Sequence, residues 1–188
     1  MHAASQLERQ WEARKQVALA DWLLFTKTDI AAPPASLAQQ LAALNPTARQ
    51  QVLAVDGALP EHLLQTWPTH AAVREASGLL GAGRRIGKPH GEVRSFVLEA
   101  ERPLSWPRLH AWLAEVRARH GEDLLRLKGV VRVAGEPHPL VLHGVQHLFH
   151  PPLALPQVEW PARSSALVFI VRGVDEAELR VGFEACLA

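Results

Sequence analysis

The apolar run Trp22–Phe25 (WLLF), followed at once by the polar segment Thr26–Asp29 (TKTD), is the feature that most constrains the fold. An unbroken apolar run of this length is typical of a strand buried on both faces, as in a parallel sheet. Helical spacing of apolar residues precedes it over 5–20 and follows it over 33–44, and a further strand is predicted at 51–55. Because helices alternate with apolar strands, the first part of the chain is predicted to form an α/β layer.

The second half of the chain has a different order of elements. The alternation of Leu125, Leu127, Val131 and Val133 with polar neighbours predicts a half-buried strand. Further strands are predicted at 93–100, 140–149 and 166–171, and helices are predicted after Ser105 and after Asp175. This order predicts a small α+β sandwich with helices covering one face of a sheet.

Glycine and basic residues are concentrated between these two parts, over residues 69–92. Such a composition is typical of a flexible linker. We therefore predict three regions, a partial parallel-sheet domain at 1–68, a linker at 69–92 and an α+β domain at 93–188. A short helix is also predicted over 60–65.

Composition excludes several classes of protein. The 188 residues carry a net charge of only +1, which argues against a dedicated nucleic-acid or membrane-surface protein. The apolar fraction of 48% is enough for a substantial core, and the sequence has no stretch of membrane-spanning length. Cys186 is the single cysteine, so disulfide pairing within the chain and cysteine metal clusters are excluded. A cytoplasmic location is the simplest expectation.

The TKTD segment has the pattern with which GTPases recognise guanine, at the end of a predicted strand where α/β sheets bind their ligands. Guanine presents its N1–H and its exocyclic amine side by side, and one ionised carboxylate can accept both hydrogens. Adenine offers an acceptor at N1 where the carboxylate needs a donor. Asp29 is the candidate carboxylate, Lys27 can lie along the base, and Thr26 can hold the loop. A polar turn at a strand end is the alternative interpretation of these four residues.

Longer segments of the sequence resemble the CobW family of GTPases. Residues 20–30 and Leu44-Asn45-Pro46 resemble the guanine-specificity region of that family. The second half resembles the family's C-terminal domain in the segments 102–104, 112–113, 124–130, 145–147, 150–152 and 167–170. The segments follow the family's order and together extend over most of residues 20–186.

This resemblance implies a cytoplasmic protein that couples binding and hydrolysis of GTP, with Mg²⁺, to delivery of a metal ion. Zinc is one expected cargo, and cobalt for cobalamin synthesis is another. Thr26, Lys27 and Asp29 would bind guanine, and no catalytic residue is assigned. The expected partners are a client metalloprotein and a complementing N-terminal GTPase half, with no nucleic acid and no membrane. A protein-interaction module without nucleotide function is the alternative.

The sequence departs from the family at the phosphate side of the site. Members carry a glycine-rich P-loop ending in Gly-Lys-Ser/Thr, a Cys-x-Cys-Cys metal motif and a carboxylate on the magnesium side. None of these is present in the 188 residues. Residues 82–89 (AGRRIGKP) approach a P-loop, but Pro89 replaces the hydroxyl residue and removes a backbone N–H. The chain is therefore expected not to hydrolyse GTP alone.

Three histidines are weak candidates for metal binding. His147 and His150 could meet at the end of the predicted strand 140–149, and His90 lies near the end of the predicted linker. His143 and His147 would share one strand face but lie ~13 Å apart, too far to bind one ion. Half-buried structural histidines are the favoured interpretation of the strand residues.

Overall fold

A computed structural model describes residues 3–54, 57–59, 63, 93–155 and 164–188. The predicted linker, the predicted helix at 60–65, the P-loop-like segment and His90 lie outside these residues. The helices are α1 (Ala3–Arg9), α2 (Trp11–Leu19), α3 (Ala35–Leu44), α4 (Trp106–His120) and α5 (Glu176–Glu184). The strands are β1 (Trp22–Phe25), β2 (Arg49–Val52), β3 (Val93–Ala100), β4 (Leu124–Val131), β5 (Leu140–Val145), β6 (Leu148–Phe149), β7 (Leu153–Ala154) and β8 (Ser165–Arg172).

The first part of the chain is the predicted parallel α/β layer. Strands β1 and β2 pair in parallel, with Trp22 opposite Arg49 and Phe25 opposite Val52. Helix α3 follows Pro34 and ends at Asn45, as the sequence predicts. All four residues of β1 are only partly buried, so the prediction of a strand buried on both faces is wrong for the described residues. Among the described residues this parallel sheet consists of β1 and β2 alone, so no further described strand pairs with either of them.

The described residues of the second part form an antiparallel sheet of six strands, whose main order is β3-β8-β4-β5-β6, with β7 pairing to β5. Helices α4 and α5 cover one face of it, as predicted. Their apolar residues enclose the largest core around Phe169, which stacks on Phe96 with ring centroids 5.6 Å apart and meets the edge of Trp112 at 6.0 Å. Asp175 caps α5 by accepting a hydrogen bond from the Ala177 amide at 3.1 Å. The two-part fold class is therefore confirmed.

The other face of this sheet is covered by the first part of the chain. Ala18 of α2 packs with Val93, Leu125 and Ile170 from three strands. The Ser95 hydroxyl donates to the Ala43 carbonyl of α3 at 3.0 Å. Strand β4 is consequently buried at every position, and the prediction of a half-exposed β4 is wrong. Its polar positions face α2 and β1 rather than water.

Two predicted elements are divided in the structure. The predicted helix 5–20 is broken at Gln10, whose backbone is extended (φ −115°, ψ 117°), and the Arg14 guanidinium donates to the Leu7 carbonyl across the break. The predicted strand 140–149 is a hairpin, because Gln146 adopts a left-handed conformation (φ 53°) between β5 and β6. Within the described part of the chain, no helix is both long and apolar enough to cross a membrane.

Candidate functional site

The TKTD segment lies at the carboxyl end of β1, as predicted. Thr26, Lys27 and Asp29 are all exposed, and residues 28–30 form a turn. Lys27 adopts a left-handed conformation (φ 57°), and its carbonyl accepts the amides of Ile30 at 3.1 Å and Ala31 at 3.4 Å. This turn places the Asp29 carboxylate in solvent at the strand tip. The geometry suits an acceptor that must meet two adjacent donors of a ligand.

A buried amide fixes the elements that support this loop. Asn45 is fully buried, and its Nδ2 donates to three carbonyls at the end of α2, those of Val17 (2.8 Å), Ala18 (3.2 Å) and Ala20 (2.8 Å). Its Oδ1 accepts from the amide (3.1 Å) and hydroxyl (2.7 Å) of Thr47. One side chain thereby connects the end of α2 to the segment that enters β2. Because α2 leads directly into β1, Asn45 positions both parallel strands.

A second polar cluster joins β1 to the antiparallel sheet. Asp21 directly precedes β1, and its Oδ1 accepts from the guanidinium of Arg126 and from Nζ of Lys128, the latter at 2.5 Å. The Arg126 guanidinium also donates to the Leu19 carbonyl at the end of α2. Both cations belong to β4 and are nearly inaccessible, with side-chain exposures of 1% and 3%. We call Asp21, Arg126 and Lys128 the Asp21 cluster.

The protonation equilibria of this cluster follow from its burial. Burial alone would raise the pKa of Asp21, but the positive charges of Arg126 and Lys128 outweigh it and hold that pKa below its ordinary value. Burial and the neighbouring Arg126 charge lower the pKa of Lys128 to about 8, although Asp21 opposes the shift. At neutral pH the cluster therefore holds two cations and one carboxylate. The buried Nε of Arg126 has no hydrogen-bond partner among the described residues.

The structure places His143, His147 and His150 around the β5–β6 hairpin. His147 is exposed in the turn between β5 and β6, so it does not share a strand face with His143. His150 is instead the neighbour of His143, with its amide donating to the His143 carbonyl at 2.9 Å and the two rings stacked 4.9 Å apart. The His143 ring is buried, and its Nε2 has no partner in the described part of the chain.

His143 should make the protein sensitive to mild acid. Burial, followed by the charges of Lys128 and Arg126, lowers the pKa of His143 to about 4. Asp21 opposes this shift, and the nearby His150 adds slightly to it. Between pH 6.5 and 4 the unfolded chain binds a proton at His143 that the folded chain does not bind. The free energy of unfolding should therefore fall by about 2 kcal/mol between pH 6.5 and pH 4.5. Urea denaturation at pH 6.5, 5.5 and 4.5 measures this slope.

The matched pair of variants for that experiment is His143→Gln and His138→Gln. His138 is exposed in the turn before β5, so its substitution should leave the pH slope unchanged. His143→Gln should flatten the slope between pH 6.5 and 4.5. An equal slope in both variants would show that another group controls the acid response.

The described residues do not provide a site for a zinc ion. No group of three or more His, Cys, Asp or Glu side chains among them is arranged to hold a metal ion. His143 and His150 are a pair rather than a set, and a tetrahedral zinc site needs three or four protein ligands. The weak metal candidates His147 and His150 therefore have no third donor beside them in this part of the chain.

Comparison with known proteins identifies the second part of the chain directly. Residues 93–187 match the family model described as the cobalamin synthesis protein cobW C-terminal domain. The zinc chaperone YjiA of Escherichia coli (strain K12) is 30% identical over 186 residues, which cover 97% of this chain and 57% of YjiA. The chain thus spans little more than half the length of this curated relative.

Solved structures extend the likeness to the whole chain. The Zn(II)-bound YjiA GTPase from E. coli superposes with a TM-score of 0.70, and a Zn(II)-bound triple mutant of the YjiA GTPase superposes with a TM-score of 0.71. In both, the sequence identity is 26%, and the match covers 100% of this chain and 58% of the other. The fold is therefore that of part of a YjiA-like GTPase, a parallel α/β layer joined to an antiparallel α+β domain. The chain belongs to the CobW family.

Proposed function

We propose that this chain is the guanine-recognising and C-terminal portion of a CobW-like, GTP-dependent metal chaperone. Thr26, Lys27 and Asp29 bind the guanine base, and GTP phosphates and Mg²⁺ are held by a GTPase half that supplies the phosphate-binding loop. Zinc is the proposed cargo because the matched relative is named a zinc chaperone. The partners are that GTPase half and a client metalloprotein, and the compartment is the cytoplasm.

The observation that carries this proposal is the exposed Asp29 carboxylate at the tip of a parallel strand. Within the described residues it forms no hydrogen bond or ion pair, so both of its oxygens are available. Ligands of α/β sheets bind at this edge. The left-handed Lys27 turns the loop back, and its carbonyl holds the Ile30 amide at 3.1 Å. The loop therefore contains a hydrogen-bonded turn.

The chemistry expected of these residues is binding rather than bond cleavage. The Asp29 carboxylate accepts the guanine N1–H and amine, the Lys27 stem covers one face of the base, and Thr26 stabilises the loop. In this chain alone, only these contacts offset the entropy that is lost on association. Its dissociation constant for GTP is therefore about millimolar or weaker. High affinity requires the phosphate-binding half, and hydrolysis takes place only in the assembled protein.

Replacing Asp29 with asparagine should reverse the base preference of the assembled site. The asparagine amide donates where the carboxylate accepts, so it repels the guanine amine but fits the C2 carbonyl of xanthine. GTP affinity should fall about 100-fold, because the amide oxygen still accepts from N1–H but the charge-assisted bond to the guanine amine is lost. XTP should then bind more tightly than GTP. The measurement is fluorescence titration with mant-GTP and mant-XTP, with a CobW-type phosphate-binding half supplied.

Glu136→Gln is the control, because this exposed carboxylate lies in a turn of the antiparallel sheet, outside the loop. It should leave both affinities unchanged. If the unsubstituted chain binds no mant-GTP even with the complementing half, nucleotide recognition is refuted and the interaction-module function replaces it. If Asp29→Asn binds mant-GTP like the unsubstituted chain, the base is recognised elsewhere.

A further inference from the structure

The Asp21 cluster lies between the guanine-recognition loop and the C-terminal sheet. The side chain of Asp21 is bound by Arg126 and Lys128 of β4. Its backbone carbonyl accepts the Arg49 amide at 2.9 Å, where β2 begins its pairing with β1. One residue therefore contacts the sheet of the C-terminal domain through its side chain and the parallel strand pair through its main chain.

Stability alone does not explain this cluster. Burying two cations and a carboxylate costs desolvation energy, and apolar side chains of similar volume usually stabilise a fold at least as well. The cluster also holds more positive than negative charge, and the Arg126 Nε is left without a partner among the described residues. The ion pairs fix the orientation of Asp21 with respect to β4. Apolar side chains would not do this.

That orientation is passed to the loop by a short, paired strand. Only the four residues of β1 separate Asp21 from Thr26, a length of ~13 Å. β1 is held in register by its parallel pairing with β2, and the Leu53 amide donates to the Phe25 carbonyl at 2.9 Å just before the loop. A shift of Asp21 with respect to β4 is therefore transmitted along β1 to the loop.

We propose that Arg126 and Lys128 are positioning residues for the guanine-recognition loop, and that through Asp21 they couple occupancy of the loop to the C-terminal sheet. The coupling to a nucleotide rests on the function proposed above, whereas the positioning of the loop does not. Because coupling between two sites is reciprocal, a partner that displaces β4 changes guanine affinity, and guanine binding changes the strength of that partner's contact. The C-terminal domain then senses the nucleotide through three named side chains.

Lys128→Met is the informative variant, because it removes one charge, keeps an unbranched side chain in the buried position and leaves Arg126 paired with Asp21. Asp21→Asn is a second variant, and it leaves two buried cations without a carboxylate and risks failure to fold. Arg180→Met is the matched control, because it breaks the Arg180–Glu176 pair (2.7 Å) on α5 without touching the cluster.

The first measurement is amide hydrogen exchange of the full chain, which needs no nucleotide. In Lys128→Met the amides of Ile30 and Ala31, both bonded to the Lys27 carbonyl, should exchange about tenfold faster, while those of β8 keep their rates. Arg180→Met should leave the loop rates unchanged. Equal acceleration of the loop and β8 indicates general destabilisation and would overturn the positioning role, as would an unchanged loop.

The second measurement is mant-GTP affinity with the complementing half present. Lys128→Met should weaken binding about tenfold, and nucleotide should slow exchange in β4 of the unsubstituted chain. Faster loop exchange without any GTP binding to the unsubstituted chain would refute the guanine function and leave the positioning intact. Normal GTP affinity in Lys128→Met, with unchanged loop exchange, would refute the positioning and leave the guanine function intact.

Discussion

Replacing Gly129 with alanine should destabilise the fold by about 3 kcal/mol or more, at the upper end of the cost of overpacking. Gly129 lies at the centre of β4, between β5 and β8. A β-carbon there would overlap the Ala166 carbonyl oxygen and lie 2.6 Å from Cδ2 and 2.8 Å from Cα of Leu167. Two of these atoms belong to the backbone of β8, so a rotamer change does not relieve the overlap. Guanidinium denaturation monitored by circular dichroism measures the loss.

Gly135→Ala is the control for that substitution. Gly135 lies in the turn after β4 with φ +86°, and a β-carbon there would meet no atom within 4 Å. Its cost is therefore backbone strain alone, about 1 kcal/mol. Similar losses at Gly129 and Gly135 would show that β4 and β8 separate easily, contrary to the close packing in the structure.

Replacing Asn45 with alanine should cost about 3–5 kcal/mol, because one truncation leaves several buried groups without hydrogen bonds. The carbonyls of Val17, Ala18 and Ala20 lose their shared donor, and Thr47 loses its acceptor. Asn45→Asp should cost more, since it places a buried carboxylate against three carbonyl oxygens. Urea denaturation of both variants gives the order of the losses.

The comparison for Asn45 is Gln50→Ala. Among the described residues, the Gln50 side chain makes one hydrogen bond, from Nε2 to the Ala38 carbonyl at 3.1 Å, and is only partly buried. Its removal should cost about 1 kcal/mol. If Asn45→Asp were as stable as Asn45→Ala, the amide nitrogen would not be the group that holds the end of α2.

Elements with a strong local pattern could be predicted from the sequence. The WLLF run identified β1, helical spacing identified α4, and Asp175 identified the start of α5. The break at Gln10 and the reversal at Gln146 depend on single backbone conformations that apolar periodicity does not record. These are the positions where predicted elements are divided.

The supports of the candidate site were less predictable than the loop itself. Asp29 follows a strand, so its position could be inferred from four residues. Arg126 and Lys128 alternate with leucines, which indicates a solvated strand face. Their burial depends on Asp21, 105 residues before Arg126 and 107 before Lys128, and on α2 lying over that face. Local sequence carries no signal of so distant a partner.

The packing of α2 against the reverse face of the antiparallel sheet has a consequence for the evolution of this chain. The C-terminal domain has an interior of its own around Phe169, and it shares another buried cluster with Ala18 and its neighbours. Substitutions at Val93, Leu125 or Ile170 are therefore constrained by residues outside the domain. Gene fission or recombination at the glycine-rich segment would separate two sets of side chains that have to change together.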